Sequence, residues 1–248
     1  MKSSAKNINL TSVDDLFSTE ESRADAGREK VMEIALTELF PFKNHPFKVK
    51  DDEAMAETAE SIKEYGVLVP AIARPRDEGG YELVAGHRRH RASELAGLDT
   101  MPVLVRNLDD DAATIIMVDS NLQRENILPS ERAFAYKLEL DAIKRKAGRP
   151  TKENGSQVGD NLRSVNILSE NAPDSARQIQ RYIRLTELIL ELLDMVDDKK
   201  IAFNPAVELS YLKPEEQTNL LEAMDMEQAT PSLSQAQRLK KFSAEGKC

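Results

Sequence analysis

Glu82-Leu-Val-Ala-Gly-His-Arg-Arg-His-Arg-Ala92 decides how the first half of this chain reads. The alternating run Tyr81-Glu-Leu-Val-Ala85 is a strand, and Gly86 turns it directly into a very basic helix closed by Gly97. A helix start offers unpaired N–H groups and partial positive charge, and the fork of an arginine suits phosphate oxygens. Gly86, His87, Arg88 and Arg89 are therefore a candidate phosphate cradle. The competing reading is a solvated basic face paired with neighbouring acids.

Working outward, Gly66-Val-Leu-Val-Pro-Ala-Ile-Ala-Arg-Pro75 reads as a turn into a strand. The polar turn Asp77-Glu-Gly-Gly80 then makes a hairpin with Tyr81–Ala85. Before it, Asp51-Asp52-Glu53 opens an amphipathic helix (Met55, Ala59, Ile62) that Gly66 ends. After it come a strand at Met101–Val105, a helix at Ala112–Gln123 and a break at Pro129. Interleaved short strands and helices predict a small α+β domain. A second polar cluster, Asn121-Leu-Gln-Arg-Glu-Asn126, closes it. Asn121 and Glu125 lie four apart on one face and could complete the shell of a hard cation held by phosphates, or be a plain helix-end run.

Beyond Pro129 the pattern is helical throughout. Ser130 is expected to N-cap a helix to about Lys146 that turns Phe134, Leu138 and Ala142 inward. A loop is expected over Ala147–Gly159, then a short helix Ser164–Asn171 with Val165, Ile167 and Leu168 inward. Ala172-Pro173-Asp174 interrupts it, because the residue before proline is pushed out of the helical region. Ser175–Leu185 follows, with Ser175 and Gln178 placed as a capping box. This helix-turn-helix buries Ala176, Ile179 and Ile183 and presents Ser175, Arg177, Gln178, Arg181 and Arg184 as a DNA-reading set. Bidentate Arg-to-guanine and Gln-to-adenine contacts are each worth ~1–3 kcal/mol of discrimination.

The charge distribution agrees. The 248 residues carry a formal charge of −9, yet 142–186 holds nine Lys/Arg against four Asp/Glu, a basic block between two acidic ones. With 40% hydrophobic residues the chain can build a core, while 5% aromatics and no Trp make that core aliphatic. Its single cysteine, Cys248, excludes an internal disulfide and a Cys-based zinc site. No membrane-length apolar run or signal-peptide pattern occurs, so a cytoplasmic chain that does not engage membranes is expected. His87 and His90 are too crowded by arginines to hold a metal. Lys144-Arg-Lys-Ala-Gly-Arg-Pro150 reads as a basic linker rather than a minor-groove hook.

Three segments together, Ile62-Lys-Glu-Tyr-Gly-Val-Leu-Val-Pro70, Glu82–Ala92 and Asn121-Leu-Gln-Arg-Glu-Asn-Ile-Leu-Pro-Ser130, resemble ParB/Noc-type partition proteins over about 36–242. The resemblance implies a ParB/sulfiredoxin-like N-terminal domain followed by an all-α helix-turn-helix domain that binds a palindromic double-stranded site. It places a tail at 1–35, the nucleotide domain at 36–128, the DNA-binding domain at 129–242 with its helix-turn-helix near 164–185, and a tail at 243–248. It implies CTP and Mg²⁺ as cofactors. Gly86, His87, Arg88 and Arg89 would lie at the triphosphate, and Asn121, Arg124 and Glu125 at the phosphates, with Asn121 and Glu125 serving the metal.

This chain departs from the family at His87, in place of Glu, and at His45 and Ser120, in place of the Gln and Glu associated with hydrolysis. Nucleotide binding is thus expected, and a weak CTPase is the enzymatic alternative. Pro173 stands where a turn glycine is usual. The segment that engages a ParA-type ATPase has no counterpart, which leaves that partner open. Self-association is expected to use the first two domains, on nucleoid or plasmid DNA. A repressor on the same fold without nucleotide dependence is the other alternative. Sulfiredoxin chemistry is not expected, because Ala85-Gly86-His87-Arg88 lacks the thiol.

Overall fold

The structure is a computed structural model that describes residues 31–43, 45–47, 49–124, 127–146 and 157–246. The polar stretch 1–30, Glu125, the Gly148-Arg149-Pro150 segment and Cys248 lie outside these residues.

The first half is built on a five-stranded sheet. Its strands are β1 (Val31–Ala35), β2 (Leu39–Pro41), β3 (Ala71–Pro75), β4 (Tyr81–Ala85) and β5 (Thr100–Val105), in the spatial order β1-β5-β3-β4-β2. The β3–β4 hairpin expected from the sequence is antiparallel, with Ala73 opposite Leu83. The sheet becomes mixed because β5 runs parallel to β3 and β2 parallel to β4. Strand β1 pairs with β5 along its whole length, so residues 31–35, expected to belong to the tail, are part of the sheet. Alternation sorts the side chains: Leu83 joins Ile34, Ala71, Ala73, Met101 and Val103 on one face, and Val84 joins the helical core on the other.

Helix α1 (Glu53–Tyr65) carries the punctuation read in its sequence. The Asp52 carboxylate accepts from the Met55 N–H at 2.9 Å, and Gly66 ends the helix at φ 72°. Its apolar stripe, Met55, Ala59 and Ile62, packs on Ala92 of α2 (His87–Ala96). Helix α3 (Asp110–Leu122) lies against β4 and against α4 (Pro129–Lys146).

Helix α4 departs from expectation twice. Ser130 sits inside the helix rather than at its cap; its N–H and hydroxyl both donate to the Asp197 carboxylate. Of the residues expected to face inward, Ala142 is fully buried and Leu138 half-buried, but Phe134 is exposed. Instead Ala135, Tyr136 and Leu140 pack with Phe42, Val84, Met117, Leu168 and Ile179, while Ala133 enters a second cluster with Leu185, Leu192 and Leu209. A helix enclosed on several sides has no single apolar stripe to read. One core thus runs across the expected boundary at 128/129.

The helical half continues with α5 (Gln157–Asn171), α6 (Ala176–Leu185), α7 (Leu190–Asp197), α8 (Phe203–Leu209), α9 (Pro214–Glu227) and α10 (Leu233–Ala244). Helix α5 starts seven residues before the expected Ser164. Val165 and Leu168 are buried as read, but Ile167 faces solvent. It ends at Asn171, as Pro173 requires.

Candidate nucleotide and DNA sites

Gly86 N-caps α2 at φ +106°, a left-handed backbone conformation. A Cβ there would stand 2.8 Å from the Ala71 Cβ and 3.2 Å from its Cα, so only glycine lets β4 turn into α2 this close to β3. The first turn of α2 then carries three side chains in three different roles. Arg88 reaches the N-cap of α1, donating to the Asp52 carboxylate at 3.3 Å. That hydrogen bond, with the one from the Met55 N–H, holds the Asp52 carboxyl below its usual range. Arg89 donates to the Val69 carbonyl and, at 2.7 Å, to the Pro70 carbonyl. It braces the 66–70 loop beside a cleft of about 390 Å³ lined by Thr58, Ser61, Gly66, Leu68 and Arg89 itself. His87 turns inward: its Nε2 accepts from the Phe42 N–H at 3.4 Å, and its ring lies 4.0 Å from that of His45. Burial, with the nearby His45, His90 and Arg124, pushes the His87 imidazole down to about 3, so it is neutral.

The proton affinity of His45 is lowered as well, chiefly by burial. With Nδ1–H donating to the Phe47 carbonyl at 2.7 Å, its Nε2 is buried without a partner. Arg124, within the Asn121–Ser130 segment, stands within electrostatic reach of this group. Its guanidinium is depressed first by burial and then by Arg88, with Glu131 and Asp52 partly compensating. Arg88 and Arg124, 36 residues apart in sequence, are therefore within electrostatic reach of each other. Asn121 joins them, accepting from Arg124 at 3.3 Å while its amide donates to the Met117 carbonyl. His90 is engaged elsewhere: its Nε2 meets the Leu36 carbonyl at 3.1 Å. Among the described residues no group of three or more His, Cys, Asp or Glu side chains could hold a metal.

The second site is α6. Ser175 caps it by accepting from the Gln178 N–H at 3.4 Å, but the reciprocal half of the expected box is missing, because the Gln178 side chain turns to Arg181 instead. Arg177 is exposed, whereas Arg184 donates to the Ser210 carbonyl at 2.7 Å and covers the Tyr211 ring at 4.2 Å. The turn before α6 is tied to α4 through Asp174, which accepts from Tyr136 at 2.7 Å and from Arg132 at 3.1 Å.

Residues 20–122 match the ParB N-terminal domain family. The chain is 36% identical over 161 residues to stage 0 sporulation protein J of Bacillus subtilis, covering 64% of this chain. It is 34% identical over 187 residues to a probable chromosome-partitioning protein ParB of Xylella fastidiosa, covering 75%. The chain belongs to the ParB family. It spans about half the length of these ParB relatives, 55% and 54% respectively. In fold it is similar to a C-terminally truncated ParB of Caulobacter crescentus complexed to the centromeric parS site, with TM-score 0.50 and 21% identity over 86% of this chain and 99% of that one.

The structure adds residues that sequence reading did not assign to these sites: Asp52 and Glu131 around the arginine pair, Asp174 under the turn, and Asn204 beside Arg181. Asp52 had a signal, its place ahead of α1; the others are brought in from distant elements.

Proposed function

We propose that this ParB-type chain is a site-specific double-stranded DNA-binding protein that takes CTP in its N-terminal domain and acts in partition of a chromosome, plasmid or mobile element. The observation that carries the nucleotide half is that Arg88, in the first turn of the glycine-started α2, lies within electrostatic reach of Arg124. A guanidinium depressed by burial and by a second cation nearby, as Arg124 is, is relieved by an anion, and an N-terminal helix turn adds N–H donors for it. CTP itself follows from the resemblance in the three motifs. In this reading Arg88 and Arg124 hold phosphates, Arg89 keeps the 66–70 loop in shape, and Asn121 fixes Arg124. The described donors do not make a Mg²⁺ site on their own, because the Asn121 carbonyl is engaged by Arg124; the ion would ride chiefly on phosphate oxygens. His45 and Ser120 stand where the resemblance implies the Gln and Glu associated with hydrolysis, which favours a binding switch over turnover.

The DNA half rests on α6, whose exposed Arg177 and pre-set Gln178 and Arg181 suit a major groove. The complex of the Caulobacter relative with parS supports the same reading. Two copies would match a palindromic site by symmetry, on cytoplasmic nucleoid or plasmid DNA. No helix among the described residues is long and apolar enough to cross a membrane.

Calorimetric titration of CTP into the full chain tests the nucleotide site. Arg88→Ala and Arg124→Ala are expected to weaken binding about 10- to 100-fold, the weight of one charge-assisted phosphate contact. Arg91→Ala, whose side chain is spent on Asp51 and Glu94 at the surface, leaves affinity unchanged. Equal losses in all three variants, or no CTP binding by the wild type, would sink the assignment. Footprinting with and without CTP then separates a spreading clamp from a nucleotide-independent repressor.

A further inference from the structure

Arg181, midway along α6, is held more closely than a freely searching surface arginine. Its Nη1 donates to Gln178 Oε1 at 3.3 Å and its Nη2 to Asn204 Oδ1, while its guanidinium lies over the Phe203 ring, 5.0 Å from the centroid. The Phe203 ring is backed in turn by Tyr182, with centroids 4.8 Å apart. Asn204 and Phe203 open α8, on the far side of α7 in sequence. Neither is explained by helix formation. The α8 cap is Ala202, with no side-chain cap bond, and Asn204 is exposed with its carbonyl turned to Arg181.

We propose that Asn204, with Phe203, is a positioning residue for base recognition: it fixes the Arg181 guanidinium so that its remaining N–H groups present one orientation to a base edge. Two of the five guanidinium N–H groups are taken by Gln178 and Asn204, which leaves three for DNA. Fixing a rotamer-rich side chain in advance removes its ordering cost from binding, and it removes the orientations that would accept a wrong base. The inference rests on the reading of α6 as the DNA-recognition helix.

The test selects bound sequences from a randomised duplex library with the full chain as wild type, Arg181→Ala, Asn204→Ala and the double variant. Arg181→Ala should relax preference at one position of each half-site. Asn204→Ala should relax that same position, with affinity for the best selected duplex down about 2- to 12-fold, the weight of one immobilised long side chain. The double variant should match Arg181→Ala alone, and the salt dependence of Asn204→Ala should equal that of the wild type, since no phosphate contact is lost. Thermal unfolding checks that Asn204→Ala folds; Phe203→Leu, which keeps an apolar support without the ring face, should relax the same position more weakly. Relaxation at a different position, at none, or additive losses in the double variant overturn the inference while leaving α6 as the reader. A wild type that selects no motif overturns both.

Discussion

His87 makes acid stability a direct readout of how this site is built. Its imidazole is buried against His45 with Arg124 nearby, and its proton affinity in the folded chain falls from the ordinary 6.5 to about 3. The unfolded chain therefore takes up a proton on cooling the pH below 6.5 that the native chain refuses until about pH 3, so stability present above 6.5 is lost as pH falls through that window. From those two values, moving from about pH 7.5 to about pH 5 costs about 2 kcal/mol from this group alone. Other groups titrate over the same range, so the quantity to measure is a difference. His87→Gln keeps an acceptor for the Phe42 N–H but cannot take the proton. Urea unfolding followed by circular dichroism at both pH values should show the wild type losing about 2 kcal/mol more than His87→Gln. His45, lowered in the same direction, stays in both chains and cancels. Equal losses in the two proteins would refute the argument that an uncompensated, desolvated imidazole sits at the start of α2.

Glu139 should behave in the opposite sense: burial between helices, reinforced by Asp119, raises its carboxyl to about 8, so its contribution is present below the ordinary 4.5 and disappears as pH rises through 8. Glu139→Gln should stabilise the protein by roughly 3 kcal/mol near neutrality, measured by urea unfolding, and flatten its pH dependence; a destabilised variant would contradict the burial argument. Gly86→Ala places a Cβ against Ala71 at a positive φ and should cost about 1–3 kcal/mol in the same assay, with CTP affinity falling alongside. Tyr136→Phe removes the hydroxyl that holds Asp174 beneath the turn. It should cost about 1 kcal/mol and increase amide exchange at 172–175, whereas unchanged exchange would mean Arg132 alone anchors the turn.

Much of this was written locally. Asp52 and Gly66 delimit α1, Gly79 and Gly80 make the hairpin, Gly86 starts α2 and Pro173 stops α5, because caps, left-handed turns and the restriction before proline act within a few residues. Where the local signal failed, a distant partner had overridden it. Ser130 looked like a cap but is claimed by Asp197, and Gln178 looked like the second half of a capping box but faces Arg181. Phe134 was misread as inward because α4 serves two clusters at once and carries no single stripe.

The sequence by itself therefore determined most element types from Asp51 onward, the glycine that starts α2 and the arginines offered as candidates for phosphate and for DNA. Charge, periodicity and backbone freedom are properties of neighbours along the chain. Only the tertiary structure decided what each arginine does. Arg88 is held by Asp52 within electrostatic reach of Arg124, Arg89 is tied to the carbonyls of Val69 and Pro70, Arg181 rests on Asn204 and Phe203, and Arg184 is held by the Ser210 carbonyl. A guanidinium is the same ion wherever it occurs in a sequence. Its role depends on which acceptors the folded backbone brings within about 3 Å of it, and those come from elements tens of residues away.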